Sequence, residues 1–114
     1  EIISKLSKKE IIKKESATLL KNIPQNSYVI SWDSEGKQIS SIDLANLIKQ
    51  KIQSQKSISF LIGDSHGFAN EVKHKSDMVL SASLLTFPHK LFRLILVEQI
   101  YRAHTILANM PYHK

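Results

Sequence analysis

The chain has 114 residues, no cysteine and a formal net charge of +6, from 16 Lys and Arg against 10 Asp and Glu. That length suits one domain with a modest core; without thiols there are no disulfides or Cys-based zinc sites, and no run approaches the ~18 apolar residues of a membrane span. The basic surplus fits an anionic partner, most commonly nucleic acid, or else a solvated basic surface.

Residues 1–22 carry Ile3, Leu6, Ile12, Leu19 and Leu20 among lysines and glutamates, an imperfect amphipathic helix that Pro24 and Asn26 end. The β-branched and aromatic run SYVISW (27–32) predicts a strand, and DSEG (33–36) a turn after it. Ser40 with Asp43 three residues later resembles a capping box, followed by Leu44, Leu47, Ile48 and Ile52 at helical spacing. SISFLI (57–62) reads as a second strand, apolar enough to be covered on both faces. A short helix over 68–76, a third strand over 77–83 and a long helix from about Phe87 to Asn109 complete the chain. Helices alternating with strands predict an α/β fold with a parallel sheet and crossover helices, in a single domain spanning 1–114. Three strands alone make a small sheet, so strands upstream of Glu1 or a partner subunit are expected. No secretory signal opens the chain, and the expected compartment is the cytoplasm.

The pentad Gly63-Asp64-Ser65-His66-Gly67 admits several chemistries. A two-metal phosphoesterase needs further glycine-containing ligand blocks, and no glycine follows Gly67, so no metal is expected. A Gly-Asp-Ser hydrolase needs a late Asp-x-x-His, and no Asp follows Asp77. Phosphate-binding glycine loops are missing as well. What remains is a strand end with two glycines, either a tight turn or a place where a ligand approaches the backbone.

The last helix is apolar on more than one face, which predicts packing on the sheet and on a second subunit, most simply in a twofold dimer. Within it lie Arg93, Glu98, Gln99, Tyr101 and Arg102; Glu98 either neutralises an arginine or takes part in catalysis. The closing PYHK supplies a ring, an imidazole and a cation, groups suited to RNA bases and phosphates.

Taken together and in order, FLIG…G, S…TFPH, R…EQIYRA and PYHK resemble the RlmH family of SPOUT methyltransferases, with the match running from Glu1 to Lys114. The resemblance implies S-adenosylmethionine-dependent methylation of N3 of a pseudouridine in 23S rRNA, a C-terminal trefoil knot, and an active site built at a homodimer interface. It implies a donor site made by Trp32, Gly63 and the segment Ala82, Ser83, Leu84, Leu85, Thr86 and Phe87. The chain departs from the family at Trp32, where an aliphatic residue is usual, and at Asp64, where a second glycine is usual; His66 reads as a surface loop residue. Family members carry roughly forty further N-terminal residues with another strand and helix, so this chain is expected to be a fragment or to follow an unseen segment.

Methylating N3 requires removal of its proton by a nearby base, for which His113 is the first candidate and His89 or Glu98 the next. Arg102 and Lys114 are expected to position RNA and Tyr112 to stack on the base. So small a domain has little surface for reading sequence, which points to the assembled ribosome as substrate. The alternatives are a SPOUT enzyme acting on tRNA and a non-catalytic RNA- or ribosome-binding protein of the same fold.

Overall fold

The computed structural model describes residues 8–63 and 70–114. The first seven residues of the expected opening helix, and Asp64, Ser65, His66 and Gly67 of the pentad, lie outside the described residues.

The central element is β1 (Ser27–Gln38), flanked by β2 (Ser57–Ile62) and β3 (Met78–Ser81) in the order β2-β1-β3. Both pairings are parallel, with Ser27 opposite Ser57 and Ile30 opposite Met78. Parallel neighbours need crossovers, supplied by α2 (Ser41–Gln53) between β1 and β2 and α3 (Asn70–Lys75) between β2 and β3. The α/β class and parallel sheet agree with the pattern of the sequence.

Alternation along β1 builds two cores. Ile30 and Trp32 pack with Leu44, Ala45 and Ile48 of α2 and with Leu96 and Ala103 of α4 (His89–Leu107). Val29 joins Leu61 and Val72 on the opposite face, beside Leu20 of α1 (Lys8–Lys21). The central strand is thus buried on both sides over Val29–Trp32.

Local chemistry sets the element ends. The Ser40 side chain accepts the Asp43 N–H at 3.0 Å and Asp43 accepts the Ser40 N–H at 3.4 Å, so the capping box opens α2 as expected. Asp77 fastens the entry to β3: its carboxylate accepts the Val29 N–H at 2.7 Å and its own N–H donates to the Val29 carbonyl at 2.8 Å.

The turn expected at 33–36 is not a chain reversal. β1 continues to Gln38 with a register break, Leu80 lying opposite both Trp32 and Lys37. Turn-forming residues here bow the strand outward without ending it. At the pinch Gly36 lies so close to β3 that a Cβ would meet the Leu80 backbone at 2.7 Å. Two other ends also move: β3 stops at Ser81, and α4 begins at His89, with Pro88 at its N-cap position and Phe87 outside the helix. Proline fixes an extended approach there and has no N–H to offer.

Candidate functional site

The bow of β1 and the carboxyl ends of β2 and β3 converge on a cavity of about 240 Å³. Ligands of open α/β sheets occupy this position. Trp32, Asp33 and Ser34 contribute from the bow of β1, Ile62 and Gly63 from the end of β2, and Ser81 to Ser83 with Leu85, Thr86 and Phe87 from the segment after β3. His89 and Phe92 close it from the first turn of α4.

Of the eight residues expected to hold a methyl donor, seven meet here: Trp32, Gly63, Ala82, Ser83, Leu85, Thr86 and Phe87. Leu84 does not; it is 78% exposed, turned outward where the Leu85 N–H bonds back to Ser83 Oγ at 2.9 Å. Residue-by-residue resemblance marks a contiguous segment, whereas a tight turn splits its side chains between wall and solvent. Asp33, Ser34, Ile62, Ser81 and Phe92 also line the cavity. The expected turn at 33–36 hides the first two, and no spacing rule flags the rest.

Asp33 is held in place: Lys73 pairs with it at 3.1 Å and with Glu35 at 3.3 Å. Burial opposes the Lys73 charge, yet the hydrogen bonds to Asp33 and Glu35 outweigh it and raise its pKa above the ordinary lysine value. Trp32 is packed between the rings of Phe60 and Phe92, with centroids at 6.1 and 6.2 Å.

His89 joins two walls of the cavity, its Nδ1 lying 3.1 Å from the Gly63 carbonyl oxygen. A carbonyl only accepts, so Nδ1 carries the proton and the neutral ring has a lone pair at Nε2. The His113 ring is in the opposite state. Its Nδ1 lies 3.0 Å from Arg102 Nη1, and a guanidinium only donates. The neutral His113 ring therefore carries its proton on Nε2.

That second cluster is organised by Glu98. Its carboxylate accepts from Tyr112 Oη at 2.9 Å, Arg102 Nη2 at 3.0 Å, Arg102 Nε at 3.2 Å and Gln99 Nε2 at 2.9 Å. Gln99 in turn accepts from Ser41 Oγ at 2.6 Å, tying the cluster to the first turn of α2. The Tyr112 hydrogen bond is the largest influence on Glu98; burial opposes it, Arg102 and Gln99 reinforce it, and the carboxyl lies below the ordinary glutamate value of 4.5. The same bond, felt from the other side, raises the Tyr112 phenol. Glu98 thus pairs with Arg102 while anchoring the tail, and a carboxylate so stabilised is a poor proton acceptor.

The two clusters do not meet within one chain. His89 and Arg102 are thirteen positions apart on α4, roughly 20 Å at 1.5 Å per residue. The intervening helix exposes Leu91, Leu94, Val97 and Tyr101, an apolar strip on the side away from the core. Among the described residues no group of three His, Asp or Glu is placed to hold a metal ion, and no helix is long and apolar enough to cross a membrane.

The family model described as "Predicted SPOUT methyltransferase" matches residues 2–113. The chain belongs to the SPOUT methyltransferase family. Methyl transfer is accordingly its class of chemistry. Proteins named "Ribosomal RNA large subunit methyltransferase H" are similar to it throughout. That of Malacoplasma penetrans is 49% identical over 105 residues, covering 92% of this chain and 66% of the relative. That of Caldicellulosiruptor bescii is 42% identical over 104 residues, 91% of this chain and 68% of the relative. That of Carboxydothermus hydrogenoformans is 42% identical over 115 residues, spanning all of this chain and 72% of the relative.

Proposed function

We propose that this SPOUT domain uses S-adenosylmethionine to methylate N3 of a pseudouridine in 23S rRNA within the assembled ribosome. The observation that carries the reading is the cavity beside the strand ends, where seven residues marked by resemblance gather from three separate segments of the chain. The donor set suits an adenosyl amino acid: the hydroxyls of Ser34, Ser83 and Thr86, the Asp33 carboxylate, and the apolar walls of Ile62, Phe87 and Phe92. The similar proteins from three bacteria all carry names that denote large-subunit rRNA methylation.

When bound, the donor supplies an electrophilic methyl group. The protein's part is to align the acceptor, exclude water and take one proton. We assign the proton to His89, whose Nδ1–H is committed to Gly63 and whose Nε2 lone pair remains on a cavity-lining ring. His113, with its proton on Nε2, donates a hydrogen bond instead, to a carbonyl or phosphate oxygen of the RNA. Arg102 and Lys114 supply positive charge and Tyr112 a ring. Because the tail cluster stands roughly 20 Å from the cavity along its own helix, a second copy of the chain brings its tail to the cavity across the exposed strip of α4.

The test is methyl incorporation from labelled S-adenosylmethionine into ribosomes, naked 23S rRNA and tRNA. Incorporation into ribosomes alone supports the reading. Preferential labelling of tRNA sinks the substrate assignment, and no labelling of any RNA sinks the enzyme.

A further inference from the structure

Among the described residues that line the cavity, Asp33 is the only one with a formal charge. The other polar lining groups are hydroxyls and the neutral His89 ring. The Asp33 side chain keeps 14% of its surface accessible. A carboxylate has about four lone-pair sites. Here Oδ1 accepts the Glu35 N–H at 3.0 Å and Oδ2 faces Lys73 Nζ at 3.1 Å, so acceptor capacity remains. Lys73 comes from α3, is not part of the cavity wall, and is shared with the Glu35 carboxylate at 3.3 Å. Two carboxylates around one ammonium leave a negative charge in excess, and the carboxylate on the cavity side is Asp33.

We infer that Asp33 is a specificity-determining residue that makes the cavity prefer the cationic methyl donor over its neutral demethylated product. The inference rests on the methyl-donor reading of the cavity and adds to it a way of telling substrate from product. Donor and product share the adenosine and the amino-acid zwitterion, whose own charges cancel. They differ by the methyl group and by one positive charge on sulfur. On transfer the bond pair stays on sulfur, leaving a neutral thioether, while the acceptor's proton passes to His89. An uncompensated carboxylate in the wall attracts the sulfonium form and loses that attraction once the methyl has gone. Lys73 opposes this preference from the far side of the ion pair, besides holding the bow of β1 in place.

The experiment is calorimetric titration without RNA, so that no turnover intervenes. The ligands are S-adenosylmethionine, S-adenosylhomocysteine and sinefungin, which carries an ammonium where the donor has its sulfonium. The unsubstituted chain is expected to bind both cationic ligands roughly 4- to 20-fold more tightly than S-adenosylhomocysteine, the scale of two unit charges several ångströms apart in a water-filled cavity. Asp33→Asn should reduce that ratio to near one, chiefly by weakening the cationic ligands. Lys73→Met should widen it, since the opposing charge is gone, even if a loosened bow weakens all three. A merely structural ion pair would shift all three affinities alike in both variants and leave the ratio unmoved; that result overturns the inference. Equal affinity of the unsubstituted chain for S-adenosylmethionine and S-adenosylhomocysteine overturns it too, while the donor site stands. If none of the three ligands binds, the donor reading fails and takes the inference with it. Should Asp33→Asn not fold, the ratios of the unsubstituted chain and of Lys73→Met decide.

Discussion

Two histidines of one chain are set in opposite tautomers by partners that each have only one hydrogen-bonding role, a carbonyl at Gly63 and a guanidinium at Arg102. This yields a direct comparison. His89→Gln keeps a donor for Gly63 but loses the basic nitrogen, and kcat for ribosome methylation is expected to fall by roughly 10²- to 10⁴-fold. His113→Gln keeps both an acceptor for Arg102 and a donor, and is expected to cost less than about tenfold, the scale of one hydrogen bond. Equal losses would refute the assignment of the proton. Glu98 supplies a prediction in pH. Its folded pKa is depressed, so its contribution to tail docking is complete above the ordinary value of 4.5 and is lost as pH falls through the lower folded value. The Tyr112 ring resonances should therefore move toward random-coil positions on acidification in the unsubstituted chain. In Glu98→Gln they should already be displaced at neutral pH. Neither tautomer is written in residue spacing, because each depends on a partner brought close only by folding.

At the scale of elements, what is legible from sequence is what is local. The capping box at Ser40 and Asp43 and the apolar run Ser57–Ile62 carry their own signals, and both form as expected. The continuation of β1 through Asp33, Ser34, Glu35 and Gly36 has no such signal. These residues favour turns, and what keeps them in the strand is pairing of Lys37 with Leu80 and Gln38 with Ser81, more than forty positions away. That bow carries Asp33 and Ser34 into the cavity, so the same non-local pairing hides part of the site. Gly36 makes the pinch possible. Gly36→Ala would press a methyl group into the Leu80 backbone, and a loss of about 1–3 kcal/mol in denaturant unfolding is expected. S-adenosylhomocysteine affinity should weaken with it, since the bow must shift. A substitution without effect on either would show that the strand yields freely.

For the whole molecule, the separation of cavity and tail along α4 makes a second copy part of the proposed chemistry. Leu94 and Val97, 65% and 57% exposed in the isolated chain, lie at the centre of the strip between them. Leu94→Lys is expected to leave the fold intact, give a monomer in sedimentation and abolish methyl transfer. Mixing two inactive chains provides the complementary test, one carrying His89→Gln and the other Arg102→Ala. Random re-pairing with one restored site in each mixed dimer should return about a quarter of the activity. Recovery of none would mean that each chain works with its own tail. The threading of a knot leaves no periodic trace in the sequence, which is why resemblance and not hydropathy carries that expectation.

The reversal at Asn109 has a consequence of its own. With φ at 57°, this residue folds the chain back so that the Met110 N–H reaches the Thr105 carbonyl at 2.9 Å, and Tyr112 then lands on Glu98. The phenol's reach is therefore counted in peptide units from the end of α4. One extra residue inserted after Asn109 would leave every helical hydrogen bond in place and still carry the ring past its carboxylate. Length, as much as composition, is what those few positions encode.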